Sequence, residues 1–450
     1  GVEACDDGNA VDTDACRTSC VAATCGDGVV QAGVEACDDG NTVPDDTCDN
    51  LCAPTSPPVC GDGTLDAGEV CDDGNVDDQD GCNHECAVES CGDALLQYGL
   101  GETCDDGNTA NGDGCSATCQ LEGGFSTVTP RLISGVLGCD IFQSNTGRKV
   151  AVDGLGKIYV VMQCGGQAYA AVSQDRGVTW GVPVDLGISG ISEIAIAAGP
   201  PGVAYVAASG NGQTRFTRTG DAGATWSLPI DLASNFDFEI SIEAFNDDVF
   251  VGIGGGSGVL VLYNDNRGIG SFTTTDVAVS QVFFDLLYDD RQGTLLVCAD
   301  TPDFHIRASV DRGATFLSEV NPAGMAFYSD WGVGDGMIFV AGTSGGSDVL
   351  TLIPADDPTQ SSTVPGLPTT NQSNQRTVTA DVSGNAYVAT VLDTGEVQLD
   401  RLVAPAHTFA APRTIVGAGT YPGITALPTS NGVAMIYASA GGVYATIQVY

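Results

Sequence analysis

The pentapeptide CDDGN occurs four times, beginning at Cys5, Cys37, Cys71 and Cys104, at separations of 32, 34 and 33 residues. A fixed period of about thirty residues marks an array of small structural units, each too short to bury an apolar core of its own. Every complete unit carries four cysteines: Cys25, Cys37, Cys48 and Cys52; Cys60, Cys71, Cys82 and Cys86; Cys91, Cys104, Cys115 and Cys119. Ten residues always separate the second from the third, and three separate the third from the fourth. The copy at the start holds only the last three, Cys5, Cys16 and Cys20. Three thiols cannot all pair within one unit, so this spacing predicts a polypeptide that continues before Gly1.

Composition separates the array from the rest of the chain. Residues 1–122 hold 28 acidic residues against one basic residue, Arg17, and one aromatic, Tyr98. Such a segment needs disulfides or metal ions to fold. The remaining 328 residues, rich in Val, Ile, Ala and aromatics, have the apolar content for a sizeable core. Fifteen of the 18 cysteines lie in the array, the pattern of an extracytoplasmic disulfide framework. Zinc is disfavoured, because CxxC pairs are absent and the flanking residues are hard carboxylates. A net charge of −43 argues against nucleic acid and anionic membrane surfaces as partners. The longest apolar stretch, ISEIAIAAGPPGVAYVAASG, contains Glu193 and a Gly-Pro-Pro-Gly break, and reads as two strands and a turn. The expected location is extracellular or at the cell surface, with no membrane insertion within this chain.

The third and fourth cysteines of a unit, as in GCSATC and GCNHEC, lie four positions apart. On a single helical turn both thiols would face the same way, toward the two earlier cysteines; which joins which stays open. Each closed loop contributes about 3 kcal/mol. The acids are as regular as the cysteines. Each full unit has an Asp after Cys-Gly (Asp27, Asp62, Asp93), a Glu two before the second cysteine (Glu35, Glu69, Glu102), and an Asp two before the third. Carboxylates so crowded repel one another unless a hard cation joins them, and Asp, Asn and backbone oxygens around a Gly turn suit Ca²⁺. The candidate ligands are Asp38, Asp39, Asn41 and Asp46; Asp72, Asp73, Asn75 and Asp80; and Asp105, Asp106, Asn108 and Asp113. The alternative is a solvated acidic surface in which Asp-Gly and Gly-Asn only form turns. The string CGDG…GEVCDDGNVDDQDGCNHEC resembles the cysteine-rich repeat named after myxobacteria, found in tandem in secreted and surface-anchored proteins. That resemblance implies location and repetition more than an activity. It places a partial repeat at 1–20 and full repeats at 21–58, 59–88 and 89–122.

From residue 123 the pattern is short strands between Gly, Asn and Asp turns, without helical periodicity. SQDRGVTW (173–180), TGDAGATW (219–226) and SVDRGATF (309–316) share Ser/Thr-x-Asp-x-Gly-x-Thr-aromatic. The motif resembles the Asp-box of sialidase-type β-propellers. Its intervals are 46 and 90 residues, and a worn copy, NDNRGIGSF at 264–272, fills the longer one. In such a hairpin the Asp bonds turn amides, Gly supplies a positive φ, and the aromatic packs between blades. Asp175, Asp221 and Asp311 are therefore read as structural. Outer strands begin near 179, 225, 271, 315, 362 and 408, and the segment FSTVTPRLI at 125–133 completes the three strands of 421–450. The expected fold is all-β: a seven-bladed β-propeller over 123–450, its last blade closed by strands from both ends, preceded by the disulfide-rich array. Cys139 and Cys164 are expected to pair, and Cys298 to be a buried free thiol.

Sialidases of this type have six blades, an arginine triad and a Tyr/Glu nucleophile pair. Here the count is seven, no Arg-Ile-Pro signature is present, and Arg176 and Arg312 lie inside the turn motifs. Seven-bladed polysaccharide-cleaving relatives use carboxylate pairs. The inner-strand candidates here are Glu193, Glu239, Asp285 and Asp330, with nothing in their spacing to single them out. The three histidines are scattered. The sequence therefore reads as non-enzymatic: a propeller head on a disulfide-rich stalk for adhesion or for binding a glycan or surface protein. The alternatives are a structural subunit of an extracellular filament, built from copies of itself, and a secreted glycoside hydrolase.

Overall fold

A computed structural model describes residues 86–450 except 113, 124, 136–137, 142–147, 235–238, 256–257, 280–282, 291–292, 301–303, 323–325, 345–346, 371–375, 417–418, 429–431 and 440–441. Within 1–85 it describes residues 5, 11, 13, 16–17, 19–22, 24–32, 35–38, 40–41, 48, 51–52, 60–63, 65, 69–75 and 80–84. The chain forms two compact units, Gly1–Ser90 and Cys91–Tyr450, so the third full repeat belongs with the propeller.

Within each full repeat the first cysteine joins the fourth and the second joins the third: Cys25–Cys52 with Cys37–Cys48, Cys60–Cys86 with Cys71–Cys82, and Cys91–Cys119 with Cys104–Cys115. The expected helical turn between the last two cysteines is instead a tight reversal. Cys82 bridges Val88 and Cys115 bridges Leu121, while Cys52, Cys86 and Cys119 sit at φ of 53°, 56° and 48°. A residue in the left-handed region turns the chain back on itself, so the two thiols diverge and each meets a different partner. In the partial repeat Cys5 pairs with Cys16, and Cys20 is outside any disulfide.

Residues 123–450 form seven antiparallel sheets arranged as a β-propeller. Blade 1 runs outward through Val150–Val152, Ile158–Cys164, Gln167–Ser173 and Val184–Ser189, with Cys139–Asp140 added on the second strand. Cys139 lies opposite Cys164 there, and the two are disulfide-bonded. Blade 7 takes Thr420–Ala426, Gly432–Ser439 and Gly442–Val449 from the end of the chain, and its outer strand, Val128–Leu132, from the start. Val128 faces Ile447 and Arg131 faces Ala445 across that seam. Blade 4 has three full strands, ending with Phe304–Ser309; its outer segment pairs only as the Ile306–Val320 bridge, with Leu317 N–H also bonded to the Ala308 carbonyl.

The core is divided among the blade interfaces rather than gathered in one place. Second strands such as AYVAASG (Ala204–Gly210) are buried on both faces, so they read as continuous apolar runs of small and β-branched residues. Seven buried clusters result, one between each pair of neighbouring blades. Trp180, Trp226, Phe272 and Phe316, the last residues of the turn motifs, each pack against one of the first four. Cys298 is fully buried in the fifth, where burial holds its thiol well above the ordinary range.

Candidate functional site

Three sets of polar residues were open to a functional role: the acids of the repeats, the Asp of the turn motifs, and the inner-strand acids of the propeller. In the repeats the first Asp of CDDGN serves the backbone. Asp38 accepts hydrogen bonds from the amides of Gly26, Asp27, Gly28 and Gly40 at 2.7–3.1 Å. Asp72 takes the same four positions in its unit, and Asp105 takes Gly92, Ala94 and Gly107. Loss of solvent pushes Asp38 and Asp72 upward, but their amide donors outweigh it and hold both carboxyls below the usual range. A cation bound by these oxygens would compete with four N–H groups at Asp38 and Asp72 and with three at Asp105.

Glu35 Oε2 and Glu102 Oε2 likewise accept the amides of Gln31 and Gln97. Glu35 and Asp38 converge on Cys52, and Glu69 and Asp72 on Cys86, but those sulfurs are disulfide-bonded and offer no thiolate. The repeat thus folds around carboxylates ringed by amides, where larger domains use apolar side chains. The remaining candidates point elsewhere. Asp73 is hydrogen-bonded to Asp80, which raises its pKa, and Asn75 Nδ2 donates to Asp80 at 3.0 Å. Asn108 Nδ2 donates to Asp106 at 3.1 Å, and Asn41 lies in the bend after Gly40. Asp39, Asp46 and Asp113 lie outside the described residues.

The turn motifs are closed by their own side chains. Asp175 accepts from Ser173 Oγ, Thr179 N–H and Thr179 Oγ1 at 2.9, 2.7 and 2.6 Å, and Ser173 Oγ accepts the Gly177 amide. Asp221 and Asp311 repeat the pattern with Thr219 and Thr225, and with Ser309 and Thr315. In the worn copy Asn264 Oδ1 accepts the Asn266 and Gly268 amides in place of the hydroxyl. Gly177, at φ 86°, abuts the preceding blade: a Cβ there would stand 2.6 Å from Ile447 Cγ1. None of these carboxylates is free for chemistry.

The inner-strand acids are different. Glu193, Asp285 and Asp330 are buried on the inner strands of blades 2, 4 and 5, the first two near the strand start and Asp330 at mid-strand. Each is bonded to a neighbouring blade. Lys149 Nζ of blade 1 meets Glu193 at 2.5 Å and the Ile194 carbonyl at 2.6 Å. Ser241 Oγ of blade 3 donates to Asp285 and accepts the Leu286 amide. Val378 N–H of blade 6 donates to Asp330 at 2.7 Å. Glu239 stays half-buried, with its carbonyl accepting the Gly254 amide; the acid that blade 3 buries is Glu243, ion-paired with Arg148 at 2.5 Å.

Burial pushes Glu243 up to about 8, with Arg148 opposing and Asp285 adding to the rise. It pushes Asp285 to about 6 against the pull of Arg148, and Asp330 to about 7 with a contribution from Asp285. Glu243, Arg148 and Lys149 were not singled out from sequence. The spacing of the expected acids did carry a signal, contrary to the expectation above: Glu193, Glu239, Asp285 and Asp330 are spaced by 46, 46 and 45 residues, the blade period, and Arg376 continues the series, whereas Glu243 and Lys149 lie off it. The inner strands surround a central channel, and toward their far ends lies a cavity of about 200 Å³, lined among others by Arg148, Glu243, Asn246, Tyr288, Asp290 and Leu96.

The family described as "Domain of unknown function (DUF4215)" matches residues 17–53, 55–87 and 83–120. No curated protein matches the chain. Among solved structures, one titled as the mitotic checkpoint complex is similar at 10% identity and a TM-score of 0.49, covering 73% of this chain and 93% of that one. The NanB sialidase of Streptococcus pneumoniae is similar at 13% identity and a TM-score of 0.42, covering 74% and 72%. The polysaccharide lyase Uly1 is similar at 10% identity and a TM-score of 0.45, covering 68% and 90%.

Proposed function

We propose that the chain is a secreted or surface-exposed binding protein without catalytic activity, in which the propeller presents its loops to a glycan or surface protein. The observation that carries this reading is the use made of the channel acids. Glu193, Asp285 and Asp330 hold neighbouring blades together through Lys149, Ser241 and the Val378 amide, and Glu243 ties blade 3 to Arg148 of blade 1. A carboxylate that staples the ring is poorly placed to leave it for a substrate. Eight disulfides among the described residues support an oxidising compartment. The turn motifs fit the Asp-box reading, with Asp175, Asp221 and Asp311 as hairpin locks.

A second reading, a glycoside hydrolase, is favoured by one observation: Asp285 and Asp330 are pushed up to about 6 and 7, a range suited to a general acid. Calcium is proposed for the repeats through the acids that do not serve the backbone, a reading supported by Asp73 and Asn75 both lying within hydrogen-bond reach of Asp80. A panel of glycans and surface extracts tests the binding reading. Retention on a defined ligand is expected, whereas failure to bind any, with concentration-dependent growth of polymers, favours the filament alternative. For calcium, calorimetry of the full chain with and without chelator should show an early transition that moves down when the ion is removed. An unchanged melting profile leaves the acids as turn formers and solvated surface.

A further inference from the structure

The third full repeat departs from its neighbours where it meets the propeller. The first two read Cys-Gly-Asp-Gly after their first cysteine, with Gly28 and Gly63 at φ of 87° and 84°. The third reads Cys-Gly-Asp-Ala-Leu-Leu, and Ala94 holds the same left-handed backbone at φ 73° despite its Cβ. A non-glycine residue in that region is strained, and it persists only where the surroundings fix it. Within the repeat Asp105 holds the Ala94 amide, as in the other two units; what differs is the outer side, where Ala94 and Leu96 line the cavity together with residues from the inner strands of all seven blades.

The contact is specific on both sides. Leu96 N–H donates to Asn246 Oδ1 at 2.9 Å, and Asn246 Nδ2 returns a bond to the Leu96 carbonyl at 3.4 Å. Asn246 is itself left-handed, at φ 49°, in the turn after the inner strand of blade 3. On blade 1, Arg176 donates to the Glu122 and Gly123 carbonyls at 2.6 Å each and stacks over Phe125. Gly156 keeps room for both, since a Cβ there would stand 2.9 Å from Phe125 and 3.0 Å from Arg176. Leu155 packs on the Cys104–Cys115 disulfide.

We propose that the third repeat is a stopper for this end of the propeller channel, with Ala94-Leu95-Leu96 as its fitted tip. Solutes on this face of the ring are thereby kept from Glu243 and Asp290. The repeats with Gly28-Val29-Val30 and Gly63-Thr64-Leu65 lack this tip. The inference stands apart from the binding reading, because a channel closed at one end is compatible with a binder or an enzyme.

Carboxyl footprinting of the full chain, with a water-soluble carbodiimide and an amine read by mass spectrometry, tests it. In the wild type Glu243 and Asp290 should label at least tenfold more slowly than exposed Asp231. Asn246→Ala combined with Arg176→Ala should raise labelling of Glu243 and Asp290 severalfold and leave Asp231 unchanged. Leu96→Asp should do the same, and unchanged labelling of Asp400 serves as the check that the blades remain folded. Equal labelling of Glu243 and Asp290 in wild type and variants, or a wild-type rate matching Asp231, overturns the stopper.

Discussion

At the residue scale, the chain uses carboxylates in two opposite ways, and pH separates them. Asp38, Asp72, Asp175, Asp221 and Asp311 accept several N–H or O–H donors, which hold them below the usual range despite some loss of solvent at most of them. Their stabilisation is present above the unfolded pKa of about 4 and is lost as pH falls through their depressed values. Glu243, Asp285 and Asp330 are raised, mainly by burial. The folded state then binds more protons than the unfolded one, so stability falls as pH rises from about 4 through their folded values. Urea denaturation across a pH series should place the maximum near pH 4 to 5, with a lower midpoint at pH 8 than at pH 5. A midpoint that rises steadily to pH 8 would show that the channel acids ionise freely. Asp175→Ala removes three accepted bonds from an exposed turn, so a loss of about 1–2 kcal/mol is expected in the urea midpoint, with ligand retention unchanged.

At the element scale, what was legible in the sequence was whatever depends on neighbours along the chain. The Ser/Thr-x-Asp-x-Gly-x-Thr turns bond within eight residues, so their geometry comes from their spelling. The closure of blade 7 by Val128–Leu132 was readable because one outer strand lacked a blade and one blade lacked an outer strand. The turn between the last two cysteines was not, because a left-handed cysteine is set by the cross-links that surround it rather than by local propensity. Glu243 and Arg148 were hidden for a related reason: they pair 95 residues apart across the channel, and only the ring brings them together. Packing sets two expectations at this scale. Gly177→Ala should cost about 2–4 kcal/mol, since it strains a positive φ and forces a methyl group into Ile447 of the neighbouring blade. Replacing Cys139 and Cys164 together by Ser should cost about 3–4 kcal/mol for a loop of this length. Both are read as shifts in the propeller's denaturation midpoint; a shift below half of either figure would mean that the seam or the loop relaxes around the change.

At the scale of the whole molecule, two kinds of interior coexist: amide-ringed carboxylates within disulfide repeats, and seven apolar blade interfaces around a charged channel. The contrast was visible as the change in aromatic and acid content near residue 122, although the compact unit that holds the propeller begins earlier, at Cys91. The channel is where binding and catalysis part company. If Asp285 and Asp330 staple blades, replacing them by Asn keeps a hydrogen-bond acceptor and leaves function intact; if either acts as a general acid, the same change removes it. The deciding measurement is to incubate the full chain with a panel of polysaccharides and track both retention of polymer and release of new reducing ends. The wild type and the Asp285→Asn, Asp330→Asn double variant should retain the same polymers equally, and neither should release reducing ends above the protein-free control. Turnover by the wild type that the double variant loses would contradict the account and make the channel an active site.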